Sequence, residues 1–170
     1  MGSAYKLVFA IGAAALMVVA GQASADGHVG FHPPKSAAEL ALDKILKLAD
    51  RDDDLLDNLL HRYPVAKAKQ VDYRPMLTAQ LLAAMQAEEK RLVKQDCGGK
   101  YLEGELCGMD YSPITCAQDT VAPYTYKTLA QTDRATTIAG PGATYRMIQV
   151  GSGWQLDGVK CETGTAFNFK

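Results

Sequence analysis

Cysteine is missing before position 97, and the four that follow, Cys97, Cys107, Cys116 and Cys161, include no Cys-x-x-Cys pair. A zinc knuckle and a thioredoxin-type redox pair both depend on that close spacing, so neither has support. No Gly-Lys-Ser/Thr phosphate loop and no Gly-x-Ser-x-Gly nucleophile elbow occur, which removes the familiar signatures of nucleotide hydrolysis and of serine hydrolases. An excess of charge of one sign is lacking too. Basic residues number 18 against 19 acidic ones, a net charge of −1, and bulk charge of that size does not draw a chain to nucleic acid. Internal repeats and low-complexity tracts are also absent from the sequence.

The longest apolar run, Leu7 to Ala20, follows the lone Lys6 and precedes Gly21-Gln22-Ala23-Ser24-Ala25. It falls short of the ~20 apolar residues that span a bilayer, and the small-x-small pattern after it is what a signal peptidase cleaves. Residues 1–25 are therefore expected to be an export signal, with a mature chain beginning near Asp26 in the periplasm or outside the cell. Without a later spanning segment, no membrane attachment is expected after cleavage. The first 25 residues take Lys6 with them and leave 145 residues carrying 17 basic and 19 acidic side chains. That length suits one domain, burying roughly 68 to 70% of the unfolded surface.

An even number of cysteines in an exported chain reads as two structural disulfides. Of the three possible connectivities, we favour Cys97 with Cys107, which closes a short loop, and Cys116 with Cys161, which ties a middle segment to the last strand. Asp26 to Lys35, with Gly27, Gly30, Pro33 and Pro34, reads as a flexible leader. Ser36-Ala37-Ala38-Glu39 fits a capping box, and Ala38, Leu42, Ile45, Leu46 and Ala49 continue it at helical spacing. Leu55, Leu56, Leu59 and Leu60 repeat that pattern until Tyr63-Pro64. A turn at Asp72 to Pro75 precedes a third helix with Leu77, Leu81, Met85 and Leu92 on one face, Glu88 to Arg91 mostly off it, and a stop at Gly98-Gly99.

Beyond Gly99 the texture is that of strands: Val121 to Gln131, Ala135 to Ala139, Ala143 to Val150, and Trp154 to Cys161, the last two joined by the turn Gly151-Ser152-Gly153. Helices first and antiparallel strands afterwards predict an α+β fold, with a single domain over residues 36–170. The stretch Met109-Asp110-Tyr111-Ser112-Pro113-Ile114-Thr115-Cys116-Ala117-Gln118-Asp119, then Tyr145 to Val150, then Gly153-Trp154-Gln155-Leu156-Asp157-Gly158-Val159, resembles a bacterial exported branch of the nuclear transport factor 2-like superfamily, a domain of unknown function. The resemblance implies helices folded over a bent antiparallel sheet in a cone, with a pocket at the wide end. Enzymes of that superfamily place Asp and His side chains inside the cone. Here His28, His32 and His61 all precede the sheet, so a non-catalytic domain binding a small apolar ligand or a protein partner is the leading expectation.

Asp110, Gln118 and Asp119 are the candidate ligand-binding cluster at the cone mouth. Asp110 or Asp119 could instead serve as the carboxylate base of an isomerase or hydrolase, or the residues could simply cap turns. Asp50-x-Asp52-x-Asp54 begins like a calcium loop but has Leu55 at the sixth place and His61 at the twelfth, so a solvated acidic helix start is expected. Cleavage after Ala25 would leave Asp26-Gly27-His28, whose amine, amide and imidazole nitrogens form a square-planar set suited to copper or nickel. Trp154, Tyr145, Phe167 and Phe169 are expected to fill the core of the sheet rather than line a pocket.

Overall fold

The computed structural model describes residues 30–119 and 123–169; the expected signal, and with it Asp26 and His28, lie outside the described residues. Helix α1 (Ala37–Ala49) begins on the expected capping box: the Ser36 hydroxyl accepts the Glu39 amide at 3.2 Å, and the Glu39 carboxylate accepts the Ser36 amide at 3.0 Å. Its apolar stripe of Ala38, Leu42, Ile45, Leu46 and Ala49 is buried. Helix α2 (Leu55–Leu60) ends earlier than Tyr63-Pro64, because His61 turns left-handed at φ 56°. A connection through the short 3-10 turn Lys67–Lys69 leads to α3 (Ala79–Cys97), capped by the Thr78 hydroxyl and stopped by Gly98 at φ 64°, a conformation that costs glycine little.

Leu77 does not start the third helix as its spacing suggested. It makes a parallel bridge to Leu156, with the Thr78 amide donating to the Leu156 carbonyl and the Leu156 amide to that of Met76, both at 2.9 Å. The entry to α3 is thus stitched to the sheet by backbone hydrogen bonds.

The sheet is an antiparallel meander in chain order: β1 (Lys127–Gln131), β2 (Ala135–Gly140), β3 (Ala143–Val150), β4 (Gly153–Cys161) and β5 (Ala166–Phe167). Here β1 starts six residues later than the expected Val121, whose placement lies outside the described residues. Tyr126, just before β1, exchanges two backbone hydrogen bonds with His32 at 3.0 and 2.8 Å. Backbone pairing therefore begins four residues ahead of the Ser36 cap, within the stretch expected to be leader. The strand β5 was not anticipated, being only two residues long.

Alternation along β2 and β3 buries Ile138, Tyr145 and Met147, and these join Leu42, Leu46, Leu81, Met85 and Leu156 in one apolar core shared by helices and sheet. Of the four aromatics expected in the core, Tyr145 and Phe167 are fully buried, Trp154 packs against it half-buried, and Phe169 lies under the Arg146 guanidinium. Between Arg146 and Met147 the register slips, leaving Asp157 as the extra residue of a bulge in β4. Its carboxylate accepts the Thr78 hydroxyl and Arg146 Nε, both at 2.8 Å, which joins the α3 cap to β3.

Both disulfides form as favoured, Cys97–Cys107 and Cys116–Cys161, with Cα separations of 5.7 and 5.6 Å. Such bonds belong to an oxidising, extracytoplasmic environment. Among the described residues no helix is long and apolar enough to cross a membrane.

Candidate functional site

Three segments converge beside the end of α1. The first is Asp50, which ends α1, followed by the acidic connection into α2. The second is the stretch Asp110 to Asp119, wound into a closed turn by the Ser112 amide donating to the Ala117 carbonyl at 3.0 Å and the Cys116 amide to the Ser112 carbonyl at 2.8 Å. The Cys116–Cys161 bond fastens this turn to the end of β4. The third is the Tyr124–Tyr126 stretch entering β1.

Between the first two segments lies an open cleft of about 470 Å³ lined by seven aspartates, including all three of Asp50, Asp52 and Asp54 and both Asp110 and Asp119. Gln118 lines it too, and its side-chain amide donates to Asp110 at 3.1 Å. The predicted trio is therefore brought together at one wall. Turn capping falls instead to Ser112, whose hydroxyl accepts the amides of Ile114 at 3.3 Å and Thr115 at 3.1 Å.

The opposite wall corrects the sequence reading. Asp54 stands at the start of α2 but makes no side-chain cap, while Asp50 and Asp52 are engaged by tyrosines rather than left to solvent. The Tyr124 hydroxyl donates to Asp50, and the Tyr73 hydroxyl to Asp52 at 2.9 Å, with Asn58 donating to the same Asp52 at 3.0 Å. Burial, opposed by Arg62 and reinforced by Asp54, raises the Asp57 carboxyl above its ordinary value.

Two turns back along α1, Tyr126 donates to Asp43 at 3.0 Å, and Lys47 pairs with the same carboxylate at 2.7 Å. Burial and the neighbouring aspartates push the Tyr124, Tyr126 and Tyr145 phenols well above their usual range. The Tyr145 hydroxyl is buried without a hydrogen-bond partner among the described residues. This second layer was missed in the sequence. Its signal was present: Asp43 and Asp50 are seven apart on one helix face, and Tyr124 and Tyr126 are two apart in extended chain, the periods that bring such pairs to one side.

Among the described residues Arg62 is the one cation lining the cleft, while Lys69 reaches one of its acids, Asp54, at 3.7 Å. Arg62 is engaged elsewhere, donating through Nε to Glu89 at 2.6 Å and through its terminal nitrogen to the same carboxylate at 3.0 Å. Glu89, placed off the apolar face by its charge, is in fact 2% exposed. It also accepts the Tyr101 hydroxyl and the Met109 amide, each at 2.8 Å, so it locks the segment leading into Asp110 against α3.

Of the histidines within the described residues, His32 places Nε2 3.8 Å from Glu39, and His61 is the exposed cap of α2. Neither lines the acidic cleft. Among the described residues no group of three or more His, Cys, Asp or Glu side chains is arranged to hold a metal ion. No protein family, curated protein or solved structure matches the chain.

Proposed function

We propose that this is an exported, non-catalytic binding domain, periplasmic or secreted, whose acidic cleft receives a lysine- or arginine-rich segment of a protein partner. The carrying observation is the lining of the cleft: seven aspartates surround about 470 Å³ of open space, and the guanidinium that reaches it is committed to Glu89. A concave surface lined by one sign of charge concentrates the opposite charge and speeds its capture. Donors from Tyr124, Tyr73, Asn58 and Gln118 hold three of the carboxylates in fixed positions without neutralising them, which lowers the ordering cost on binding.

A small apolar ligand is less well served. This cleft is lined chiefly by polar side chains, aspartates above all. Kinship with the nuclear transport factor 2-like superfamily belongs to the same proposal, supported by the order of three helices before an antiparallel sheet.

Calorimetry with a lysine-rich peptide and a glutamate-rich one of equal length tests the reading. The basic peptide is expected to bind, more weakly as salt rises, and to lose at least about tenfold in affinity with Asp110→Asn and Asp119→Asn together, since both are exposed and bear little of the fold. Equal affinity for the two peptides, or indifference to the paired substitution, overturns it. Steady turnover of an ester or ketone substrate that depends on Asp110 or Asp119 would instead establish the carboxylate-base enzyme.

A further inference from the structure

Among the described residues apolar exposure peaks at one place. Leu106 is 82% exposed and Leu102 49%, both in the loop 98–106 that the Cys97–Cys107 bond closes. A leucine so exposed on a free-swinging loop would be unremarkable, but this loop is held. Besides the disulfide, the Tyr101 hydroxyl and the Met109 amide are both tied to buried Glu89 at 2.8 Å. A loop fixed in shape loses little conformational freedom when it docks. Its exposed acids, Glu103 and Glu105, have no ion-pair partner among the described residues.

A complementary recess lies on the same chain. The connection from α2 to α3 overhangs about 920 Å³ of open space, walled by Val65, Val71 and Leu82 and edged by Lys67, with Asp57 and an Asp72 paired to Arg74 also on its lining. Lys67 has no ion-pair partner among the described residues either. Apolar walls beside the unpaired ammonium of Lys67 are the chemical counterpart of a leucine flanked by glutamates.

Loop and recess adjoin. Tyr63 lines the recess and is half-exposed, and its ring packs on Tyr101 of the loop with centroids 5.2 Å apart. The same anchors at Tyr101 and Glu89 hold the loop at the rim of its own recess, leaving Leu106 outward. Two copies related by a two-fold axis through this rim can each offer a loop to the other's recess, the self-complementary arrangement of most dimers.

We propose that the protein forms a two-fold dimer in which the disulfide-closed loop of each copy seats Leu106 in the recess beneath residues 61–74 of the other. The recess shares Asp57 and Arg62 with the acidic cleft, but Lys67, Glu103, Glu105 and Leu106 line no part of that cleft, so the substitutions that test one assignment leave the other in place.

Sedimentation velocity of the mature, oxidised protein over a wide concentration range tests it. The unaltered chain is expected to dimerise reversibly. Leu106→Arg should weaken the dimer by at least about tenfold, the reach of a buried apolar anchor, without changing the melting temperature of the monomer. Lys67→Glu should weaken it as well, and adding Glu103→Lys with Glu105→Lys should recover it. A monomer at every concentration, a dimer untouched by Leu106→Arg, or no recovery in the charge-swapped chain overturns the proposal.

Discussion

Removing the Glu89 carboxylate should unfold the protein far more readily than removing any exposed acid. Glu89→Ala strands the Arg62 guanidinium, whose side chain is 11% exposed, and leaves the Met109 amide and the Tyr101 hydroxyl without their acceptor. Breaking a buried ion pair by deleting one partner costs about 3 to 5 kcal/mol, because the surviving charge stays desolvated. For a domain of this size that corresponds to a fall in melting temperature of about 10 to 20 °C. Urea denaturation followed by Trp154 fluorescence, with both disulfides intact, measures it directly.

Salt separates this account from a surface effect. A buried pair is little screened, so the loss should be nearly the same at low and high ionic strength. Replacing both partners, Arg62→Met with Glu89→Met, should recover part of the loss, since two apolar side chains leave no orphaned charge. Gly108→Ala offers an independent probe of the same pocket: its Cβ would lie 2.2 Å from Glu89 Oε1, on a backbone already at φ +86°, so it should destabilise comparably. A loss below about 1 kcal/mol for Glu89→Ala, the usual worth of an exposed pair, refutes the reasoning.

Alkaline pH should act through the phenols of Tyr73, Tyr124, Tyr126 and Tyr145, each raised by burial and then by a nearby aspartate. Because the folded value lies above the unfolded one of about 10, their contribution is complete below that pH and drains away as pH climbs past it. Tyrosinate absorbance from these four should appear together with loss of circular dichroism; ionisation at ordinary pH in a still-folded chain contradicts the assignment. Of the two disulfides, Cys116–Cys161 closes 45 residues and Cys97–Cys107 closes 10, so loop entropy predicts losses of about 4 and about 2.7 kcal/mol for their Cys→Ala pairs, and the reverse order by urea denaturation defeats that ranking.

The helices were legible where periodicity and capping agreed, as at Ser36 and Glu39, and the strand pairs where a glycine turn separated two alternating runs, as at Gly151 to Gly153. Glu89 shows why the rest was not. Leu81, Met85, Glu89 and Val93 follow one another every four residues and all are buried, so position alone put Glu89 on the inner line. Its charge argued the other way, and the partner that reverses the argument, Arg62, is 27 residues distant with no local signal. Leu77 misled for the related reason that its role is set by Leu156, far along the chain. At the candidate site, turn chemistry pointed to Asp110, Gln118 and Asp119, which share the cleft wall, but the facing aspartates were read as a solvated helix start because their tyrosine partners come from distant elements.

What a carboxylate is paired with divides these acids by role. Glu89 and Asp157 are each met by an arginine, Arg62 and Arg146, and each also takes hydrogen bonds from a second element, so their charge is cancelled where it ties the fold together. Asp50, Asp52 and Asp110 are met by hydroxyls and amides, from Tyr124, Tyr73, Asn58 and Gln118, which fix a carboxylate in space and leave its charge standing. Cancelled charges contribute packing and cooperativity but attract nothing from outside. Uncancelled ones repel each other across a cleft of this size, and the cost of holding them together is recovered when something cationic enters. That asymmetry, rather than the number of acids, is what favours the proposed basic partner at the cleft.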